Sequence, residues 1–280
     1  MLTLTVAALR RGALAVCVLD DVDLVPVPDG LLLTGAVQVR VPWDECRQAL
    51  RGADPECPEG RRLLTAWLRM RRLLADADSA AVAAGVRPLG LPVGHVLHPG
   101  PGWGATVMGG ALDLGLGFIG LDQARAEEVT AIAPGVWTAE GTDVTTYRSG
   151  ATAYLTAMAH LAAERRMRSL TDPLRPMGDC DVVTLLCHRD FRTALAGPVG
   201  GMVAVGVPMR DRGWTELRRV DPAFIVTAAA ATDAHRRGFD RPLLITTDEV
   251  VMVAPGGRPG QNSLADAVSD EPWRRPVLYH

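Results

Sequence analysis

The length of the apolar runs constrains this chain most. Gly, Pro or charged residues interrupt each run well short of the roughly 18 residues that a membrane helix requires. What remains is a mixture of short runs and a few stretches at helical spacing. Runs of four to eight apolar residues bounded by turn signals suit strands, and apolar residues three and four apart suit helices. The expected fold is therefore mixed α/β: a β-rich N-terminal part, a helical middle and a layered α/β C-terminal part.

Leu2–Ala7, Ala13–Leu19, Val22–Val27 and Leu31–Val41 read as strands, with Asp29-Gly30 as a hairpin-type turn. From Pro58 the spacing changes, with Leu63, Leu64, Trp67, Met70 and Leu74 on one helical face. A second helix is predicted at about 142–168, capped by Thr142 or Asp143 and ending in Arg165, Arg166 and Arg168, which complement its dipole. Between them, residues 85–120 are rich in Gly and Pro and read as an ordered loop or a seam. In the last third, Val182–Leu186 and Met202–Val207 read as strands joined by a His188–Ala196 helix, just long enough for a parallel crossover. Pro222–Thr232 reads as helix, and Leu243–Thr247 with Val250–Ala254 as a hairpin around Asp248-Glu249. These elements are expected to form one domain, 1–255, with a possible subdomain seam at 85–104. Residues 256–280 read as a loosely attached tail.

Composition removes several chemistries. The 29 basic residues are all arginine, in a chain of net charge −3. Without lysine there is no P-loop, no pyridoxal Schiff base, no kinase-type strand lysine and no S-x-x-K acyl enzyme. No serine sits in G-x-S-x-G, and H-E-x-x-H is absent. The abundance of Ala, Arg, Gly and Pro fits GC-rich coding of bacterial type. Five cysteines without C-x-x-C spacing suit a reducing compartment, and the apolar stretch after Arg10-Arg11 does not have the order of a secretory signal. The expectation is a soluble, cytoplasmic protein. Its acidic balance argues against a general nucleic-acid binder.

Five constellations bear on function. Gly115-x-Gly117-x-x-Gly120 matches the dinucleotide fingerprint, though the flanking residues suit a Gly-rich buried strand equally. His95-x-x-His98 has imidazole ligands but no second pair to complete a zinc site, so no structural metal is expected. Asp20-Asp21-x-Asp23 and Asp179-Cys180-Asp181 have oxygen ligands for a divalent cation but read first as polar turns at strand ends. The arginines between Arg61 and Arg72 surround Trp67 on one helix, which reads as a solvated face or as an interaction surface. Cys187-His188 is placed at the carboxyl end of a strand and the start of a helix, where a thiolate is favoured, with Arg210 and Asp211 beyond the next strand. Against this, a buried cysteine is among the commonest core residues, and Cys187 reads first as one of these. The residues therefore suggest a cytoplasmic binding or regulatory protein without a complete catalytic motif and without a cofactor. Its partner would be a small molecule or a protein, with an apolar exposed patch around Trp67 or Trp103 favouring the protein. The alternatives are a thiol-dependent hydrolase or transferase using Cys187, His188, Arg210 and Asp211, and nucleotide-cofactor binding at Gly115, Gly117 and Gly120.

Overall fold

The computed structural model describes residues 4–107, 109–122, 125–139 and 141–253, so the proposed tail at 256–280 lies outside it. The fold is mixed α/β, and every pairing between its strands is antiparallel.

The chain opens with a helix rather than strands. Helix α1 (Val6–Asp20) is capped by Thr5, whose Oγ1 accepts from the Ala8 N–H at 3.2 Å. Leu9, Gly12, Ala13 and Val16 are its buried positions, a 3.6-residue stripe within a run that also looks strand-like. At Gly12 a Cβ would lie 2.6 Å from Pro55 Cβ, so glycine permits the close approach there. The expected strands Leu2–Ala7 and Ala13–Leu19 are therefore corrected, with Leu2 and Thr3 outside the described residues. A three-stranded meander follows: β1 (Leu24–Val27), β2 (Gly30–Leu33) and β3 (Val39–Pro42), the first pair turning through Pro28-Asp29. It packs with α2 (Trp43–Leu50) and α3 (Pro58–Asp76). Pro58 opens α3 and the Cys57 Sγ accepts from the Gly60 N–H at 3.3 Å. A short α4 (Ser79–Gly85) completes this part.

The Gly/Pro-rich stretch is largely sheet. Strand β4 (Val86–Pro92) pairs along its length with β6 (Leu112–Ile119), and β6 pairs on its other side with β5 (Gly104–Val107) and β7 (Val129–Ala131). Two helices follow, α5 (Pro134–Ala139) and α6 (Val144–Arg168), the latter capped by Asp143 through the Thr145 N–H.

The C-terminal part requires a second correction. Val182–Leu186 is a helix, α7, capped by Asp181 through the Thr184 N–H at 2.7 Å. All five of its residues are buried, so the apolar run does not reveal its period. Helix α8 (Arg189–Ala196) leads to β8 (Met202–Met209) and β9 (Arg212–Trp214). Helices α9 (Leu217–Val220) and α10 (Pro222–Ala231) precede the expected hairpin, β10 (Leu243–Thr246) and β11 (Val250–Met252). The sheet order is β11-β10-β8-β9, so the predicted parallel crossover does not occur.

Buried apolar side chains gather in two large clusters. The first joins α1, the meander, α2 and α3 to Phe118 and Tyr147, and the second joins α6, α7 and α8 to β8 and β10. Leu89, Leu91, Trp103 and Val129, from the β4–β6 sheet and its flanks, form a small third cluster.

Candidate functional site

The sequence-predicted thiol site does not assemble. Cys187 is the C-cap of α7, buried, and its Sγ donates to the Val183 carbonyl oxygen at 3.6 Å. Burial pushes this thiol up, with the Asp181 carboxylate adding to the effect and Arg192 opposing it. A nucleophilic cysteine needs the opposite shift and an open approach. His188 is occupied too: its Nδ1 accepts from the Asp190 N–H at 3.3 Å, capping α8, and burial lowers its basicity.

Arg210 and Asp211 lie elsewhere, in a pocket of about 320 Å³ that neither Cys187 nor His188 lines. Arg210 pairs with Asp181 at 2.6 Å, so its charge is already balanced. Asp211 pairs with Arg236. Asp179 accepts from Arg87 Nε at 2.5 Å and from the Tyr154 hydroxyl at 3.1 Å. The Asp179–Asp181 carboxylates are thus tied into ion pairs, and Asp20 is similarly held by Thr65 at 2.7 Å and Arg61 at 3.4 Å.

The fingerprint glycines are structural. Gly115 and Gly117 are inner residues of β6, paired on both sides, so their backbone does not open toward a pyrophosphate. A Cβ on Gly115 would lie 2.4 Å from the Trp103 ring, and one on Gly117 would lie 2.4 Å from Val129 Cγ1. Gly120 turns the chain at φ +81°. His95 and His98 do not share a ligand: Nε2 of His95 meets the Arg237 carbonyl at 3.0 Å, and Nε2 of His98 lies 3.4 Å from Asp113. Each Nδ1 accepts a backbone N–H, from Leu97 and Gly100 respectively. Among the described residues no cluster of three or more His, Cys, Asp or Glu side chains is arranged to hold a metal ion. Among them, too, no helix is long and apolar enough to cross a membrane.

A cleft of about 890 Å³ runs along the outer face of α3. Its walls come from α3, the end of α1, the segment after β6, Val96 and the loop between α10 and β10. The arginines of α3 are not a solvated face. Arg69 donates to the carbonyl oxygens of Leu121 (2.7 Å) and Asp20, and Arg71 is buried beside Glu45. Trp67 and Trp103 are buried as well, so neither centres an exposed patch.

Arg62 differs from its neighbours. Among the described residues no carboxylate lies within ion-pair distance of it, and its guanidinium rests against the His235 ring, with Nη1 2.6 Å from Nδ1. Burial lowers its basicity and Arg125 lowers it further, while Glu59, Asp122 and Asp233 oppose the shift. Among the described residues Arg125 bridges Asp233 at 3.3 Å and Glu128 at 3.6 Å, both partly exposed. His235 is held toward its neutral form by burial, then by Arg62 and Arg125. The loop bearing it, Asp233-Ala-His-Arg-Arg-Gly238, borders the cleft, the 320 Å³ pocket and an adjoining groove of about 520 Å³.

Sequence reasoning missed Arg125, His235 and this loop. The signal was His235-Arg236-Arg237 within a short polar connection from helix to strand, where binding residues concentrate. The cleft thiol is Cys57, not Cys187.

Comparison with protein-family models, with curated proteins and with solved structures finds no match to this chain.

Proposed function

We propose that the protein binds a small anionic molecule in the cleft between α3 and the 233–238 loop, and acts as a binding or regulatory protein. The observation that supports this reading is Arg62: a half-buried guanidinium facing Arg125, with no carboxylate at ion-pair distance among the described residues. A charge that has lost hydration and faces a like charge is stabilised by a counter-ion. Arg125 can turn to a ligand at little cost, because exposed bridges contribute little.

The size of the cleft, 890 Å³, falls within the range of small-molecule sites. Four arginines and three carboxylates line it, which favours a small anion over a polyanion such as nucleic acid. All five cysteines are unpaired, which supports a cytoplasmic setting.

Thermal unfolding with inorganic phosphate, against sodium chloride of matched ionic strength, tests the proposal. A phosphate concentration a hundredfold above Kd stabilises by about 2.7 kcal/mol, which raises Tm by roughly 5 °C for a protein of this size. Arg62→Ala and Arg125→Ala should each lose most of that rise while keeping the wild-type circular dichroism spectrum. A wild-type Tm that responds equally to chloride and phosphate refutes the reading.

A further inference from the structure

His235 stands where the cleft meets the 320 Å³ pocket. Charged groups reach it from each element around it. Arg62 and Glu59 come from α3, Arg125 from the segment after β6, and Asp233 from its own loop. Behind it, Arg210 donates to the His235 carbonyl oxygen at 3.3 Å, and His95 lies near enough for the two rings to interact electrostatically. Glu127, Glu128, Asp211 and Arg236 line the pocket with it.

On the cleft side Arg62 touches the ring and Arg125 adds a second positive charge, offset in part by Asp233 of the same loop and by Glu59. Protonation then adds a third positive charge to Arg62 and Arg125. An oxoanion on those two groups reverses the balance, since it cancels their repulsion and gives the ring an acceptor. We propose that the cleft takes a small oxoanion on Arg62 and Arg125 and that His235 binds one proton from solvent as the anion enters, becoming the third cationic donor beside the two arginines. This rests on the anion-binding reading of the cleft. No bond to the ligand forms; the proton passes from water to the ring nitrogen and returns on release.

The sign follows from linkage. An anion that raises the affinity of His235 for a proton must bind more tightly when that proton is present. Affinity is highest at low pH. It falls by up to about tenfold per pH unit between the free and the liganded titration of the ring, then levels off.

Calorimetric titration with sodium sulfate, whose own charge is constant across this range, separates the protein's proton from the ligand's. Run in two buffers of different ionisation enthalpy, wild-type protein should take up close to one proton per sulfate at pH values between the two titrations. His235→Gln should bind sulfate with no uptake and a flat pH profile, and His95→Gln should keep the wild-type slope. In the wild type itself, the His235 ring signals in an NMR titration should move to a higher midpoint with sulfate. Binding without proton uptake, an unchanged His235 midpoint, or equal uptake in His235→Gln overturns the inference while leaving the anion site standing. Absence of both sulfate and phosphate binding at every pH removes the anion site itself, and this inference with it.

Discussion

Burial divides the five thiols into two groups. Cys46, Cys180 and Cys187 are buried, and desolvation leads the causes that push the first two up to about 12 and Cys187 up as well. Cys17 and Cys57 are only half-buried, and Cys57 borders the cleft. Iodoacetamide should therefore label Cys17 and Cys57 in the folded protein and leave Cys187 unlabelled until the chain unfolds. Peptide mass mapping at neutral and mildly alkaline pH checks this. Rapid labelling of Cys187 below pH 8 would restore it as a nucleophile. Its partner residues follow the same logic, since Arg210 is held by Asp181 at 2.6 Å and His188 caps a helix.

At the scale of elements, the fingerprint glycines are explained by their neighbours. Strand β6 has β4 on one side and β5 and β7 on the other, and its glycines leave room for the Trp103 ring and the Val129 side chain. Gly117→Ala places a Cβ 2.4 Å from Val129 Cγ1 and 2.8 Å from the Thr130 carbonyl oxygen. Overpacking of this kind costs about 1–3 kcal/mol, so urea unfolding of Gly117→Ala should show a lower midpoint with an unchanged slope. The response to phosphate should persist, because Gly117 does not line the cleft. A variant as stable as wild type would mean that the strand pairing around Gly117 is wrong. Helix α3 carries the same lesson: Arg69, Arg71 and Arg72 bind carbonyl oxygens of other segments, so it is tied into the fold rather than displayed.

The whole molecule draws its cleft from both parts of the chain. Residues of α1 and α3 face Ala234 and His235 across the segments that follow β4 and β6. The proposed seam at 85–104 includes a strand, β4, that pairs throughout with β6, and only 93–103 connects one strand to the next. We expect one cooperative unit. A protease cutting within 93–103 should yield two fragments that still elute together at the size of the intact chain and separate only in denaturant. Two independently stable fragments would establish a division into domains.

Much of the fold was legible in the residues themselves. Pro58 and the apolar spacing to Leu74 marked α3, Asp143 was one of two candidate caps for α6, and Asp248-Glu249 marked the last hairpin. Each signal is local, held within a few residues by backbone geometry. The runs that failed, Ala13–Leu19 and Val182–Leu186, are apolar enough to suit strand or helix. For them the choice fell to tertiary partners: Pro55 against Gly12, and Gly90, whose N–H donates to Thr184 Oγ1 at 2.9 Å. The candidate site was still less legible. Arg62 was visible as one arginine among several on α3, but its contact with His235 joins residues 173 apart in sequence. By itself the sequence determined the mixed class, the absence of lysine chemistry and the position of local caps, because these depend on composition and on neighbours along the chain. Only the tertiary structure decided which thiols are buried, which ion pairs close and which arginine is left facing a cleft, because burial and charge pairing depend on groups that folding alone brings together.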